Sequence, residues 1–284
     1  MVVLGAVKSA VGETMSDQKQ AYDPKHTVKE VQATISNLGI KKANTRAWQL
    51  FLLAILAGLY IGVGSHLFLV AMEQGMGRMI AGAVFGVGLV LVVIAGAELF
   101  TGNVTMVVGT ITRLYSIRKM LFNWLIVYIG NFIASYLFAL LVFNSGVFGT
   151  PDNPSSMGLM AIKVAEAKLS LTFSQAFIRG VICNILVILG IILSFFAKDI
   201  ISKIFCCILP IMAFVSSGFD HCVANMYLIP AGLFSKGVPF SEQAIMFKNL
   251  IPVTLGNIVG GIFILVIHPN RIRQIVTLFR KAKA

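Results

Sequence analysis

Six long apolar runs alternate with short polar segments along this chain: Trp48 to Met72, Met79 to Thr112, Asn123 to Phe143, Gln175 to Ala197, Ile204 to Phe234 and Leu250 to Ile267. Runs of this length predict helices that cross a bilayer, since a hydrocarbon core of about 30 Å takes about 20 residues at 1.5 Å each. The second and fifth runs are too long for one straight crossing. Continuous helices over them would measure roughly 51 Å and 46 Å. Each also carries an acid near its middle, Glu98 in the second and Asp220 in the fifth. The pattern therefore predicts two broken helices, with irregular backbone sheltered at membrane depth. Between Asn144 and Ser174, where Gly149, Thr150, Pro151 and Pro154 form turns, a long external loop is expected to divide the chain into halves.

Composition narrows the class. With 57% apolar and 12% charged residues and a mean hydropathy of +0.89, the chain reads as an all-α polytopic membrane protein. The net charge of +12 does not point to nucleic acid, because the basic residues sit in tails and loops beside the runs, where they set topology. Seven Lys and Arg precede the first run, three follow the second, two follow the fourth and five follow the sixth, against six elsewhere. This places both termini in the cytoplasm. The organisation expected is a cytoplasmic tail over 1–47, a six-helix channel domain over 48–268 and a basic cytoplasmic tail over 269–284. The first 22 residues mix charges with no unbroken apolar core, so no secretory signal is expected. The four cysteines lie in apolar segments without the spacing of a metal site or a disulfide framework.

The halves resemble each other. Lys42 corresponds to Lys168; Gly96, Glu98 and Asn103 share their spacing with Gly218, Asp220 and Asn225; Asn123, Gly130 and Asn131 match Asn249, Gly256 and Asn257. The outer two matches are offset by 126 residues and the middle one by 122. Three matches in order imply a duplication, and three crossings per half imply that the second half is inverted. The alignment sets Leu99 opposite His221. For Glu98 and Asp220 two readings stand: they compensate Lys42 and Lys168, or they cap the half-helices formed by the breaks. Glycine pairs at 58 and 62, 82 and 86, and 256 and 260 read as close helix contacts.

The segments GIKKA (39–43), GAELFTGN (96–103), CNILV (183–187), GFDHCVANMYLIP (218–230) and NLIPVTLGNIVGG (249–261) resemble the formate/nitrite transporter family. The resemblance implies a homopentamer of aquaporin-like protomers, each with its own pore for a small monovalent anion, in the cytoplasmic membrane of a prokaryote and without a prosthetic group. It further implies that His221 is the central pore histidine, Thr101 its partner and Asn184 a lining residue of the same chamber. Phe85, Leu89, Leu99, Phe100, Val187 and Phe214 match the residues of two apolar constrictions. Lys42, Lys168, Glu98, Asp220, Asn103 and Asn225 would support the vestibules and helix breaks. The chain departs from the formate-type pattern in that Gly102 and Asn103 follow Thr101 and Asp220 stands where a glutamate is usual. The histidine at 221 favours the formate, nitrite or hydrosulfide branches, with formate the first expectation and nitrite or hydrosulfide the alternatives.

A small carboxylic acid with a pKa of about 4 is neutral in only about one molecule per thousand at pH 7. A bare anion crosses an apolar constriction at high cost, so a histidine between two constrictions is useful if it shares a proton with the anion. Two other classes remain to be weighed. A membrane redox enzyme would want paired histidines, whereas His26 lies in the tail and His66 and His268 lie toward run ends. A neutral-solute pore fits the six-crossing pattern equally well, and its flux would not depend on His221.

Overall fold

The computed structural model describes residues 24–267, so the tail before residue 24, His268 and the basic tail 269–284 lie outside the described residues. The apolar runs become α2 (Ala47–Glu73), the pair α3 (Gly77–Phe85) and α4 (Val87–Ala95), α7 (Ile117–Asn144), α9 (Phe173–Phe196) and α12 (Phe247–Val266). Among the described residues, five stretches are long and apolar enough to cross a membrane: 47–73, 77–95, 117–144, 173–196 and 240–266. The second run continues after a gap as α5 (Phe100–Asn103), a 3-10 turn and α6 (Val107–Ile111). The fifth run is split into α10 (Ile200–Ser216) and α11 (Cys222–Ser235).

The two gaps are built alike. Gly96 and Gly218 adopt left-handed φ values of +75° and +78°, a conformation that costs a residue with Cβ and ends the preceding helix. The chain then runs extended to Leu99 (φ −101°, ψ 127°) and His221 (φ −107°, ψ 120°), after which α5 and α11 begin. Leu99 and His221 thus occupy the same backbone station in the two gaps.

Two segments differ from the sequence expectation. Residues Pro24–Asn44 form α1, where only a polar tail was expected; the helix buries Val31 and Ile35 and sets Lys41 and Lys42 at its C-terminal end, where cations are favoured. The expected loop holds a two-residue hairpin and then α8 (Ser156–Leu169), whose first turn is capped by Ser155 accepting the Gly158 N–H at 3.1 Å. Only 14 residues long and with Lys163, Glu166 and Lys168 on it, α8 gives no crossing signal. Its Ala161 and Ala165 face Gly232 of α11, where a Cβ would strike the Ala161 carbonyl at 2.5 Å.

The paired glycines lie at helix contacts. A Cβ at Gly58 would meet the Asn131 carbonyl at 2.5 Å, one at Gly82 the Met212 carbonyl at 2.9 Å, and those at Gly256 and Gly260 the Phe177 and Val181 carbonyls. Gly256→Val is expected to cost about 3 kcal/mol through overpacking of α9 against α12. Thermal unfolding in detergent checks this, with Val259→Ala on the exposed face of α12 expected to leave the midpoint unchanged. One further contact crosses between the halves: the Tyr128 hydroxyl lies 3.1 Å from Thr254 Oγ1, and these two positions are themselves 126 residues apart.

Candidate functional site

Each gap is held by one asparagine from a neighbouring helix. Asn131 on α7 accepts the Phe100 N–H at 2.9 Å and donates to the carbonyls of Ala54 at 2.7 Å and Glu98 at 3.0 Å. Asn257 on α12 accepts the Cys222 N–H at 2.9 Å and donates to Gly180 at 2.8 Å and Asp220 at 3.0 Å. A single amide satisfies one orphan N–H at a helix start and two carbonyls, which lets irregular backbone stay buried. The sequence repeat had picked out both residues without giving them this work. The side chains of Glu98 and Asp220 cap neither half-helix.

The acids instead pair with the lysines. Lys42 Nζ stands 2.7 Å from Glu98 Oε2, and Lys168 Nζ 2.6 Å from Asp220 Oδ1. Asn103 and Asn225 brace the acids by donating to Glu98 at 2.7 Å and to Asp220 at 3.1 Å, and both also donate to Asn123 and Asn249, at 2.8 Å each. The correspondence stops at one bond. Lys42 also donates to Asn103 Oδ1 at 2.9 Å, whereas the matching atom, Asn225 Oδ1, is buried without a protein partner. Lys42 is committed to two acceptors, and Lys168 to one. Arg179 lies on the far side of Asp220, with Nη1 at 4.0 Å from Oδ2.

His221 departs from symmetry where Leu99 cannot follow. Its Nδ1 accepts the Ala224 N–H at 3.1 Å and so caps α11, while Nε2 lies 2.8 Å from Thr101 Oγ1. An acceptor role for Nδ1 fixes the neutral tautomer with its proton on Nε2. The ring is 3% exposed and stacks beside Phe214 at 6.1 Å and 22°. Asn184 donates to the carbonyls of Thr101 at 3.3 Å and Asn257 at 2.6 Å. Its Oδ1 is left as a buried acceptor without a protein partner.

Two cavities approach this centre. One, of about 730 Å³, opens beside α8 and reaches Phe85, Phe214, Asp220 and His221; Lys168 lines it. The other, of about 600 Å³, opens beside α1 and is lined by Lys42, Glu98, Leu99 and Asn103. Phe85 and Phe214 meet edge to face at 6.0 Å. Leu89 and Val187 are buried between the cavities and line neither. Phe100 likewise lines neither cavity; its ring packs on Trp124 at 6.1 Å and on Tyr128 at 5.0 Å, against α7.

A family-wide sequence profile described as "Formate/nitrite transporter" matches residues 29–269. The chain is 34% identical over 246 residues to the formate channel FocA of Escherichia coli (strain K12), with 78% of this chain and 86% of that one covered. It superposes on a solved "Pentameric formate channel with formate bound" with a TM-score of 0.64 at 35% identity, covering 77% and 94% of the two chains. A solved "FNT family ion channel" matches with a TM-score of 0.72 at 28% identity, covering 85% and 97%.

Proposed function

This chain belongs to the formate/nitrite transporter family, and from that premise we propose that it conducts a small monovalent anion, formate first, across a prokaryotic cytoplasmic membrane by sharing a proton at His221. The protomer is read as six crossings in an inverted 3+3 repeat, spanning 48–268, with both termini cytoplasmic. The pentameric neighbour supports a homopentamer, and each protomer is read as having its own pore. Nitrite and hydrosulfide are the alternative anions for the same pore.

The observation that carries the proposal is the placing of His221 Nε2 against Thr101 Oγ1, at the inner end of one cavity and close behind Leu99 of the other. The anion enters by the Lys42 or the Lys168 vestibule, where positive charge raises its local concentration. It then passes the apolar side chains of Phe85 and Phe214 on one side or Leu99 on the other. In the chamber the neutral ring offers its Nε2–H to the anion, and Thr101 either holds that proton or orients the ring. Full transfer of the Nε2 proton to the substrate requires a second proton, taken up from solvent onto Nδ1, and so the release of the Ala224 N–H from its cap; the ring is left neutral with its proton on Nδ1. A neutral acid formed in this way leaves through the next constriction at lower cost than the anion. Asn184 Oδ1 is the acceptor on hand for its hydroxyl.

Flux into vesicles holding the purified chain tests the reading. Formate is expected to move at least tenfold faster than lactate, whose methyl-bearing carbon must also clear the constrictions, and nitrite and hydrosulfide are compared alongside, each from pH 5 to 8. Osmotic swelling in a neutral polyol with no anion flux would establish the neutral-pore reading in its place.

A further inference from the structure

Resting on that transport reading, we propose that the cavity beside α8 is also a binding site for small divalent anions of the dicarboxylate or sulfate class, which lodge among Arg78, Lys163 and Arg179 and obstruct monovalent traffic from that face. Four cations line this cavity, Arg78, Lys163, Lys168 and Arg179, against a single carboxylate, Asp220. Lys168 is the one that closes on the carboxylate, at 2.6 Å. Arg179 stands off at 4.0 Å with its side chain 44% exposed. Arg78 and Lys163 have no ion-pair partner among the described residues. Arg78 lies over the gap itself, its Nη1 3.7 Å from where a Cβ on Gly218 would stand. The cations therefore converge on the rim of the loop that carries Asp220 and His221.

The cavity beside α1 is different. Lys41 and Lys42 are its only lining cations among the described residues, Glu98 opposes them, and Lys42 is spent on Glu98 and Asn103. The surplus of charge thus sits at one mouth, and the floor beneath it is apolar, with Phe85 and Phe214 in edge-to-face contact. Charging energy rises with the square of the charge, so a dianion meets about four times the barrier of a monoanion at that floor. At a separation of about 6 Å in a water-like dielectric, one cation raises monoanion occupancy about threefold and dianion occupancy about tenfold. Arg78 and Lys163, with Arg179 held only at 4.0 Å from Asp220, hold a dianion well and a monoanion loosely. The dianion stays where the monoanion moves on.

Isothermal titration of the purified full-length chain with malonate, and separately with sulfate, tests the site, alongside formate flux in vesicles free of dianion. Malonate and sulfate are expected to bind at least tenfold more tightly than formate at low ionic strength and to lose that advantage in about 0.5 M salt. Arg78→Gln combined with Lys163→Gln should weaken malonate about a hundredfold at low ionic strength while formate flux stays within about threefold of the parent at physiological salt. In planar bilayers malonate should block from the α8 face at about one-tenth of the concentration needed from the α1 face. Malonate affinity in the double variant within threefold of the parent, or equal block from both faces, overturns the proposal. Dianion binding without any formate flux would uphold this site and remove the transport reading. Normal formate flux with no dianion binding would remove this site alone.

Discussion

Replacing His221 with Phe is expected to make formate flux follow the neutral acid alone, rising about tenfold for each unit fall in pH and dropping well over tenfold below the parent at pH 7. The parent should show a shallower profile, because its ring lends a proton to anions that arrive charged. Phe also removes the acceptor at the start of α11, since Nδ1 holds the Ala224 N–H, and loss of such a cap costs about 1 kcal/mol. His221→Asn separates the two effects: its amide oxygen keeps the cap but does not titrate. It should fold like the parent and transport like the Phe variant. An unchanged pH profile of formate flux in both variants would remove proton sharing from the mechanism.

The largest expected loss of stability comes from Asn257→Leu. This change strands the Cys222 N–H and the carbonyls of Gly180 and Asp220 in buried surroundings, at about 1–3 kcal/mol for each group. A total of about 3–9 kcal/mol is comparable with the whole stability of many domains, so the variant should yield little folded protein or melt far below the parent in detergent. Asn257→Asp keeps the cap on Cys222 and loses both donated bonds, and should fall between. A melting temperature for Asn257→Leu close to that of the parent would show that the second gap is held by something other than this amide.

Much of this frame is legible in the sequence. The gaps were legible because two runs were too long for a bilayer and each carried an acid that apolar sequence does not normally contain. The pairing of Lys42 with Glu98 and of Lys168 with Asp220 was legible as one of two readings, because the repeat moved each lysine and its acid together. Other features left no such trace. The segment that forms α8 is short, bears charges and follows a cluster of turn residues, so its hydropathy resembles that of a loop; what makes it a helix is the cap at Ser155 and the fit of Ala161 and Ala165 against Gly232. Asn131 and Asn257 stood out as repeated residues, but a buried asparagine can serve as ligand, cap or interhelical tie, and only the distances to Phe100 and Cys222 decide among these. Phe100 was legible by residue type alone: its type suits a constriction, and its contacts with Trp124 and Tyr128 are of a kind no spacing announces.

If the two halves arose by the duplication proposed above, the bond between Tyr128 and Thr254 bears on why they were joined. On the inverted-repeat reading proposed above, a contact between a residue and its own counterpart lies on the axis that relates the two. In a pair of identical half-length chains that spot could hold only two tyrosines or two threonines, the first crowding the centre and the second leaving it underfilled. Joining the halves into one polypeptide lifts that restriction. One large and one small hydroxyl can then share the axis at 3.1 Å, and the same freedom lets histidine stand at one gap while leucine stands at the other.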